Sequence, residues 1–155
     1  MSELHRCFLE TPAGYLRIRA DESAIVEVVF QDTAGIPDPV LTPLLQKAKQ
    51  ELNAYFAGKR QSFDLPLRPA GTRFQQQVWQ VLQTIPYGAT ISYQQEAEAA
   101  GSPHACRAVG GANGANPIVI LIPCHRVVRK DGRLGGYSAG LKRKAFLLDL
   151  EQAHR

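Results

Sequence analysis

The stretch SYQQEAEAAGSPHACRAVG, residues 92–110, predicts two short helices joined by a tight turn. Ser92 followed three residues later by Gln95 forms a capping box, in which each side chain accepts a hydrogen bond from the other residue's backbone N–H at a helix start. Gly101 ends this helix, and Ser102-Pro103 has the order of an N-cap followed by a first helical residue, which predicts a second helix. Two such helices are typical of a helix-turn-helix, although an ordinary antiparallel helix pair is the alternative on topology alone.

The second predicted helix consists mostly of small residues. It contains three glycines within five residues, although each costs a helix up to about 1 kcal/mol relative to alanine. A surface of alanine and glycine lets another backbone approach closely, and Arg107 is the one long charged side chain early in it. Against DNA, this surface would bind through shape and phosphate charge rather than by reading base edges. Packing on the protein's own core, with Arg107 merely solvated, is the alternative.

The residues before this pair of helices predict an N-terminal α/β unit. Apolar residues recur at helical spacing from Leu44 to Phe56. Segments with strand character and intervening turn residues precede them and predict a small antiparallel meander: 7–11, 15–20 and 24–30. The prolines and glycine of residues 65–71 mark a domain boundary. We therefore predict an N-terminal domain over residues 1–68 and a mostly α-helical C-terminal domain over residues 69–155.

Two further helices are predicted in the C-terminal domain. Thr72 with Gln75 is a second capping box, and an apolar helical face follows it until Pro86-Tyr87-Gly88. Residues 142–152 have the spacing of a final helix.

Charge and composition narrow the class of protein. Residues 1–68 carry 8 basic and 9 acidic side chains, whereas residues 69–155 carry 10 and 5, so the positive charge lies in the C-terminal half. Such asymmetry fits a nucleic-acid partner, although solubility alone also produces it. No run approaches the ~20 apolar residues of a membrane span, and the first six residues lack a secretion signal. We expect a monomer without a membrane partner, in the cytoplasm, or in the nucleus if the host has one.

The three cysteines, Cys7, Cys106 and Cys124, form no CxxC pair and fit a reducing compartment. A metal site at His5 and Cys7 is an alternative, but their spacing matches no common zinc pattern. We expect no metal and no cofactor.

Cys124 follows the apolar, β-branched run 117–123, which predicts a buried strand or buried extended segment. Buried free cysteine is usually inert packing. His125 and Arg126 change that interpretation, because neighbouring histidine and positive charge lower a thiol pKa and only the thiolate is a strong nucleophile. Neighbours on a strand point to opposite sides, so His125 would act through a water or through a bend after Pro123.

Two features downstream complete the candidate site. Residues 131–140 form a glycine-rich loop, which is either a surface turn or a backbone wall that lies against a flat ring. Glu151 could orient and polarise His125, but a glutamate near a C-terminus is more often solvated.

The motifs together resemble the methylated-DNA-protein-cysteine methyltransferases, or O(6)-alkylguanine-DNA alkyltransferases. The resemblance covers the C-terminal half in order and spacing, through these stretches: IPYG 85–88, SYQQ 92–95, RAVG 107–110, NP 116–117, PCHRVV 123–128, GY 136–137, and LL 147–148 with Glu151. It implies a ribonuclease-H-like α/β N-terminal domain with a small antiparallel sheet and a helix. A mostly α, winged-helix-like C-terminal domain with a helix-turn-helix would follow.

The resemblance also implies the activity and its residues. Cys124 would take the alkyl group irreversibly from a flipped O(6)-alkylguanine in double-stranded DNA, while His125, a water and Glu151 relay its proton and Asn116 braces the preceding turn. The substrate pocket would comprise Tyr93, Val127, Gly135, Gly136, Tyr137 and Ser138. The second helix would enter the minor groove with Arg107 in the gap left by the guanine, and the DNA contacts would be Ser92, Tyr93, Gln94, Ala105, Arg107, Gly110 and Gly111.

The chain departs from the family pattern at three positions. Asn113 stands where some members carry an apolar residue on the pocket wall, and Glu96 stands where an apolar residue is usual in the first helix of the motif. Asp21 falls where some relatives have a zinc-ligating cysteine, so we predict no zinc.

Two other functions are consistent with parts of the pattern. A non-catalytic module that marks alkylated DNA for another pathway would lack the cysteine of PCHRV, which is present here. A cysteine hydrolase would need an oxyanion pocket, for which no set of donors is evident.

Overall fold

The structure, a computed structural model, describes residues 3–155. The predicted N-terminal domain also includes Met1 and Ser2, which lie outside the described residues. The elements in chain order are β1 His5–Thr11, β2 Gly14–Ala20, β3 Ile25–Gln31, α1 Pro43–Phe56, α2 Arg73–Leu82, β4 Ile91–Ser92, α3 Tyr93–Ala99, α4 Cys106–Gly114, a 3₁₀ turn Cys124–Arg126, β5 Val127–Val128 and α5 Leu141–Ala153. The chain divides into two compact units, one of residues 1–70 with 117–119 and one of residues 71–116 with 120–155.

The first unit is an antiparallel sheet in the order β1-β2-β3, with α1 packed on it. Side chains alternate between the two faces of β2, which buries Leu16, Ile18 and Ala20. Arg17 lies on the other face, where its Nε donates to Glu27 at 2.7 Å. Thr42 caps α1 through a hydrogen bond from the Leu45 amide at 3.3 Å. The predicted meander and helix are therefore confirmed, with ends shifted by one or two residues.

Asp21, the position at which the resemblance led us to predict no zinc, is hydrogen-bonded within the first unit. Its carboxylate accepts hydrogen bonds from Arg68 and from the amides of Ser23 and Ala24. The Arg68 hydrogen bond, together with those amides, lowers the pKa of Asp21 to about 2. Asp21 is therefore an ionised anchor for Arg68.

The second unit is helical, with one short parallel pairing of β4 with β5. Both predicted capping boxes are present, at the starts of α2 and α3. The Trp79 indole on α2 donates to the Ala112 carbonyl of α4 at 2.8 Å. None of the helices between residues 3 and 155 is both long enough and apolar enough to cross a membrane.

The prediction that Ser102 caps the second helix of the pair is wrong. Helix α4 begins at Cys106, and its N-cap Ala105 makes no side-chain cap bond. The reason is that the Ser102 amide donates to the Ala97 carbonyl at 2.9 Å, which places Ser102 in the turn that ends α3. A further turn, closed by the Ala105 amide on the Ser102 carbonyl at 2.9 Å, precedes α4.

The apolar run before Cys124 is buried, as predicted, but it is not a regular strand. Within the first unit, the Val28 amide on β3 donates to the Pro117 carbonyl, and the Val119 amide donates to the Val28 carbonyl, both at 2.9 Å. Ile120 then has a φ of 73°, which a β-branched residue rarely adopts and which interrupts the extended backbone. Cys124 therefore follows a turn rather than a strand.

Candidate functional site

Cys124 begins a single 3₁₀ turn whose three side chains are all buried. The turn is closed by the Arg126 amide, which donates to the Pro123 carbonyl at 3.0 Å. The bend expected after Pro123 is therefore present, and the objection that neighbours on a strand point to opposite sides does not apply to Cys124 and His125.

The Cys124 thiol is 4% exposed and has a hydrogen-bond donor in Asn116. Asn116 Nδ2 lies 3.2 Å from the Cys124 sulfur and 2.7 Å from the Ile122 carbonyl, so it braces this turn and also contacts the sulfur itself. Burial raises the pKa of Cys124 to about 11, against the opposing effects of Asn116 and the charge of Lys144. At neutral pH the resting group is a protonated thiol, and a base must remove its proton.

His125 lies in a fully buried cluster with Glu151 and Arg126. His125 Nε2 is 2.6 Å from Glu151 Oε2, and Arg126 donates to both oxygens of the same carboxylate at 2.8 and 3.1 Å. Arg126 also donates to the Ile85 carbonyl at 2.7 Å, and the Gly88 amide donates to Glu151 Oε1 at 3.1 Å. Glu151 is 1% exposed, so the contact predicted with His125 is present and the alternative of a solvated glutamate is wrong.

The protonation of this cluster follows from its surroundings. Burial lowers the pKa of His125 despite the carboxylate beside it, so the ring is neutral at pH 7. Burial would raise the pKa of Glu151, but the hydrogen bonds and charges of His125 and Arg126 outweigh it and hold that pKa well below its ordinary value. His125 Nε2–H therefore donates to the carboxylate. The unprotonated Nδ1, buried and without a hydrogen-bond partner among residues 3–155, can accept a proton.

Lys144 was not predicted as a site residue, yet it is fully buried beside the site. Its ammonium donates to the carbonyls of Val127, Leu134 and Gly136 at 2.7, 2.5 and 2.9 Å. It thereby ties the glycine-rich loop to the segment after Cys124. The signal for it in the sequence is spacing: Lys144, Leu147 and Glu151 lie at i, i+3 and i+7, on the buried face of α5.

A cavity of about 120 Å³ opens beside the thiol. Residues from four separate segments line its wall: Tyr93, Gly110, Asn113, Gly114, Cys124, Gly136, Tyr137 and Ser138. Four of the predicted pocket residues are among them: Tyr93, Gly136, Tyr137 and Ser138. The Gly136 amide donates to the Tyr93 hydroxyl at 3.2 Å. Gly135 has a φ of 73°, and a Cβ there would lie 2.5 Å from that hydroxyl, so only glycine fits. The other two predicted pocket residues, Val127 and Gly135, are not among the residues of this wall.

The predicted DNA contacts lie on helices α3 and α4 and at their N-caps, Ser92 and Ala105. Gln94, Arg107 and Gly111 are exposed, whereas Ser92, Ala105 and Gly110 are half-buried. The Gln94 amide joins the two helices, because it donates to the Pro103 carbonyl at 2.9 Å and accepts from the Cys106 thiol at 3.1 Å.

The glycines of α4 are not required by packing within the described chain. A Cβ added at Gly111 or Gly114 would meet no atom within 4 Å, apart from chain neighbours and the helix's own backbone, and one at Gly110 would meet only Tyr93, at 3.9 Å. Of the two interpretations of this small-residue helix, the geometry favours an external partner over close packing on the protein's own core.

The two departures from the family pattern in this unit contact each other. Asn113 Nδ2 donates to Glu96 Oε1 at 2.8 Å, in the interior between α3 and α4. Glu96 is fully buried, so it places no charge on the exposed face.

A buried thiol, a neutral histidine that can accept a proton and an exposed helix pair with a basic residue define a class: nucleic-acid-binding proteins with a reactive cysteine. Family models identify it more closely. The 6-O-methylguanine DNA methyltransferase DNA-binding domain matches residues 73–153, and the ribonuclease-like domain of the same family matches residues 4–69. The chain belongs to the 6-O-methylguanine DNA methyltransferase family.

Individual relatives match over nearly the full length. The constitutive methylated-DNA-protein-cysteine methyltransferase of Bacillus subtilis is 48% identical over 92% of both chains. That of Methanosarcina acetivorans is 42% identical over 96% of this chain and 98% of its own. The crystal structure of the Mycobacterium tuberculosis protein in complex with DNA superimposes with a TM-score of 0.89 at 43% identity, over 97% of this chain and 94% of that one. The predicted fold class, a small antiparallel-sheet domain before a helical DNA-binding domain, is confirmed.

Proposed function

We propose that this protein repairs alkylated DNA by transferring the alkyl group of O(6)-alkylguanine in double-stranded DNA to Cys124, once per protein molecule. The observation that carries the proposal is the cavity that places the Cys124 thiol beside Tyr93, Tyr137 and Ser138, in the same unit as the exposed helix pair. Family membership and the relatives named for this activity support it.

The chemistry is a displacement at the alkyl carbon. His125 Nδ1 takes the thiol proton, directly or through a water, and the thiolate attacks the carbon bound to O6. An S–C bond forms as the C–O bond breaks, and guanine leaves with the electron pair. The proton that His125 took from the thiol passes to guanine, and the histidine becomes neutral again. The products are guanine and a thioether at Cys124. Since a thioether has no easy route back to a thiol, each molecule acts once.

Contacts in the site assign the supporting roles. Asn116 stabilises the thiolate through the hydrogen bond to sulfur, and Glu151 holds His125 in the tautomer that leaves Nδ1 free. Ser138 donates to the departing oxygen, and Tyr93 and Tyr137 contact the flipped ring beside Gly135 and Gly136. The backbone carbonyls of Cys124 and Val127 accept hydrogen bonds from the guanine amino group. The Val127 carbonyl can accept this bond in addition to the one from Lys144, because a carbonyl oxygen has two lone pairs.

The exposed face of α3 and α4 is the DNA interface. The glycines of α4 let the helix approach the minor groove closely, and Arg107 enters the duplex in place of the extruded base. Ser92, Gln94, Ala105, Gly110 and Gly111 contact the backbone around it. Because these contacts carry no base code, binding is independent of sequence.

We place this activity in the cytoplasm, or in the nucleus of a host that has one. Three free cysteines, at Cys7, Cys106 and Cys124, support a reducing compartment.

The test is to incubate the protein with duplex DNA that carries radiolabelled O(6)-methylguanine and to map the label by peptide digestion. We expect label on the Cys124 peptide alone, up to one equivalent per protein. Cys106→Ser serves as the matched control and should label normally, while Cys124→Ser should not label. Label elsewhere, or turnover beyond one equivalent, would sink the proposal.

A further inference from the structure

Glu96 and Asn113 form a buried polar contact between the two helices of the DNA-binding face. Glu96 on α3 is 0% exposed, and Asn113 on α4 is 8% exposed. The one hydrogen bond between them runs from Asn113 Nδ2 to Glu96 Oε1 at 2.8 Å. Asn113 also lines the cavity beside Cys124.

Each partner keeps one oxygen that this hydrogen bond leaves unsatisfied. Glu96 Oε2 and Asn113 Oδ1 are both buried, and neither has a hydrogen-bond partner among residues 3–155. A carboxylate and an amide carbonyl are both acceptors, so two such oxygens cannot satisfy each other. An unpaired buried acceptor is costly, and an unpaired buried charge is costlier still.

The buried cation nearby cannot supply the missing donor. An ammonium has three N–H groups, and those of Lys144 donate to the carbonyls of Val127, Leu134 and Gly136. Lys144 therefore acts on Glu96 through its charge alone. A proton on Glu96 Oε2 would solve the problem, because it can be donated to Asn113 Oδ1 and would satisfy both oxygens at once.

We propose that Glu96 is a positioning residue of the alkyl-acceptor site: it holds a proton and binds the Asn113 amide through a cyclic pair of hydrogen bonds, which makes Asn113 a neutral, fixed part of the cavity wall. This pair accounts with one interaction for the two departures from the family pattern that lie in the second unit. Either side chain alone would bury polar atoms without hydrogen-bond partners, whereas the two together satisfy each other's hydrogen bonds.

The electrostatic surroundings agree with this geometry. Burial raises the pKa of Glu96 to about 7, although the Asn113 hydrogen bond and the Lys144 charge oppose the shift. Tyr93 on the same helix and Cys124 also interact with this carboxylate. Of the elements packed on α3, β4 and β5 contain no titratable side chain, and α2 contains only Arg73, at its exposed start. Helix α4 contains the half-buried Cys106 and the exposed Arg107.

The functional consequence rests on the proposed function. An ionised Glu96 disfavours the Cys124 thiolate, and it leaves Asn113 Oδ1 without a donor in the wall that the flipped base contacts. Below pH 7 the protonated pair removes both effects. Glu96 thus acts on the reaction through Asn113 and through charge, without touching the substrate.

The proton itself is tested without DNA, by unfolding Glu96→Gln and the unmodified protein in urea from pH 4.5 to 8. Glutamine keeps a cyclic amide pair but does not titrate. Because the folded pKa lies above the unfolded one, the stability that the proton provides is present at low pH and is lost as pH rises from about 4.5 to about 7. The unfolding constant of the unmodified protein, relative to E96Q, should rise about tenfold per pH unit in that window, on the order of 100-fold in all, and then level off.

The matched control is Glu98→Gln, at an exposed glutamate on the same helix. The unfolding constant of the unmodified protein relative to E98Q should not change with pH, because both proteins retain Glu96. If the unfolding constant of the unmodified protein relative to E96Q is equally independent of pH, the proposal is overturned. If E96Q fails to fold, ¹³C NMR of labelled glutamate carboxyls in the unmodified protein still decides. A glutamate that keeps its proton at pH 6 supports the proposal. If every glutamate is ionised at pH 6, the proposal is overturned.

The positioning role is tested by single-turnover transfer from O(6)-methylguanine DNA between pH 5.5 and 8.5. The ratio of the E96Q rate to the unmodified rate cancels the titration of the thiol. We expect a ratio near 1 below pH 6 that rises about three- to tenfold above pH 7. A ratio independent of pH would refute the positioning role while leaving transfer to Cys124 intact.

Discussion

Replacing Glu151 with glutamine should destabilise the protein more than any surface substitution. Glutamine preserves the shape of the side chain but removes the negative charge that Arg126 contacts at 2.8 and 3.1 Å. Arg126 is 6% exposed, and besides the Glu151 carboxylate it donates to the uncharged Ile85 carbonyl. The substitution therefore leaves a buried cation without its counter-ion.

The magnitude follows from that loss. Removing one partner of a buried ion pair costs about 3–5 kcal/mol, because the other charge stays buried. Against a typical total stability of about 5–15 kcal/mol, this is at least about a fifth of the free energy of unfolding. The effect should appear in urea at pH 7 as a lower midpoint with an unchanged slope.

The pH dependence gives the reasoning a second check. The folded pKa of Glu151 is depressed, so its contribution is present above the unfolded value of 4.5 and is lost as pH falls towards the folded pKa. The difference in the free energy of unfolding between E151Q and the unmodified protein should therefore be largest at pH 7 and smaller at pH 3.5. Asp149→Asn, an exposed acid on the same helix, should change stability by less than about 0.5 kcal/mol. A loss below about 1 kcal/mol in E151Q would refute the claim that Arg126 depends on this carboxylate.

Two further predictions concern the proposed reaction. Arg107→Ala should slow transfer from duplex DNA but not from free O(6)-alkylguanine, because Arg107 is exposed and acts on the duplex alone; equal losses on both substrates would contradict a role inside the helix. Asn116→Ala removes the hydrogen bond to the Cys124 sulfur and raises the pKa of the thiol further. Single-turnover transfer at pH 7 should therefore slow about tenfold. An unchanged rate would exclude Asn116 from thiolate stabilisation.

Local rules predicted the elements well where one residue pair decides the conformation. The capping boxes at Thr72 and Ser92 formed as predicted, because both partners lie within one turn of the helix. Ser102 has the same local signal, yet its amide is used in ending α3. Proximity to the end of the preceding helix outweighed cap propensity, and a pattern of residue types does not contain that competition.

The burial of charge could not be predicted from residue types. Lys144 and Glu151 are residue types that are rarely buried, so each taken singly favours solvent. Their burial depends on partners distant in sequence: Glu151 meets His125 and Arg126, and Lys144 meets three carbonyls that belong to the loop and to Val127. Helical spacing on α5 carried part of this information, since both residues share a face with Leu147.

The same buried charges explain how a thiol with a raised pKa can act as a nucleophile in the proposed reaction. Proton transfer from Cys124 to His125 creates two charges in an interior where each would be costly alone. Both already have a partner: the imidazolium would lie 2.6 Å from the Glu151 carboxylate, and the thiolate would keep the Asn116 hydrogen bond and the attraction of Lys144. Burial thus keeps the resting thiol protonated and unreactive, while fixed partners stabilise the charges that form during transfer. A buried thiol without these partners would be equally unreactive at rest, but the charges that form during transfer would not be stabilised.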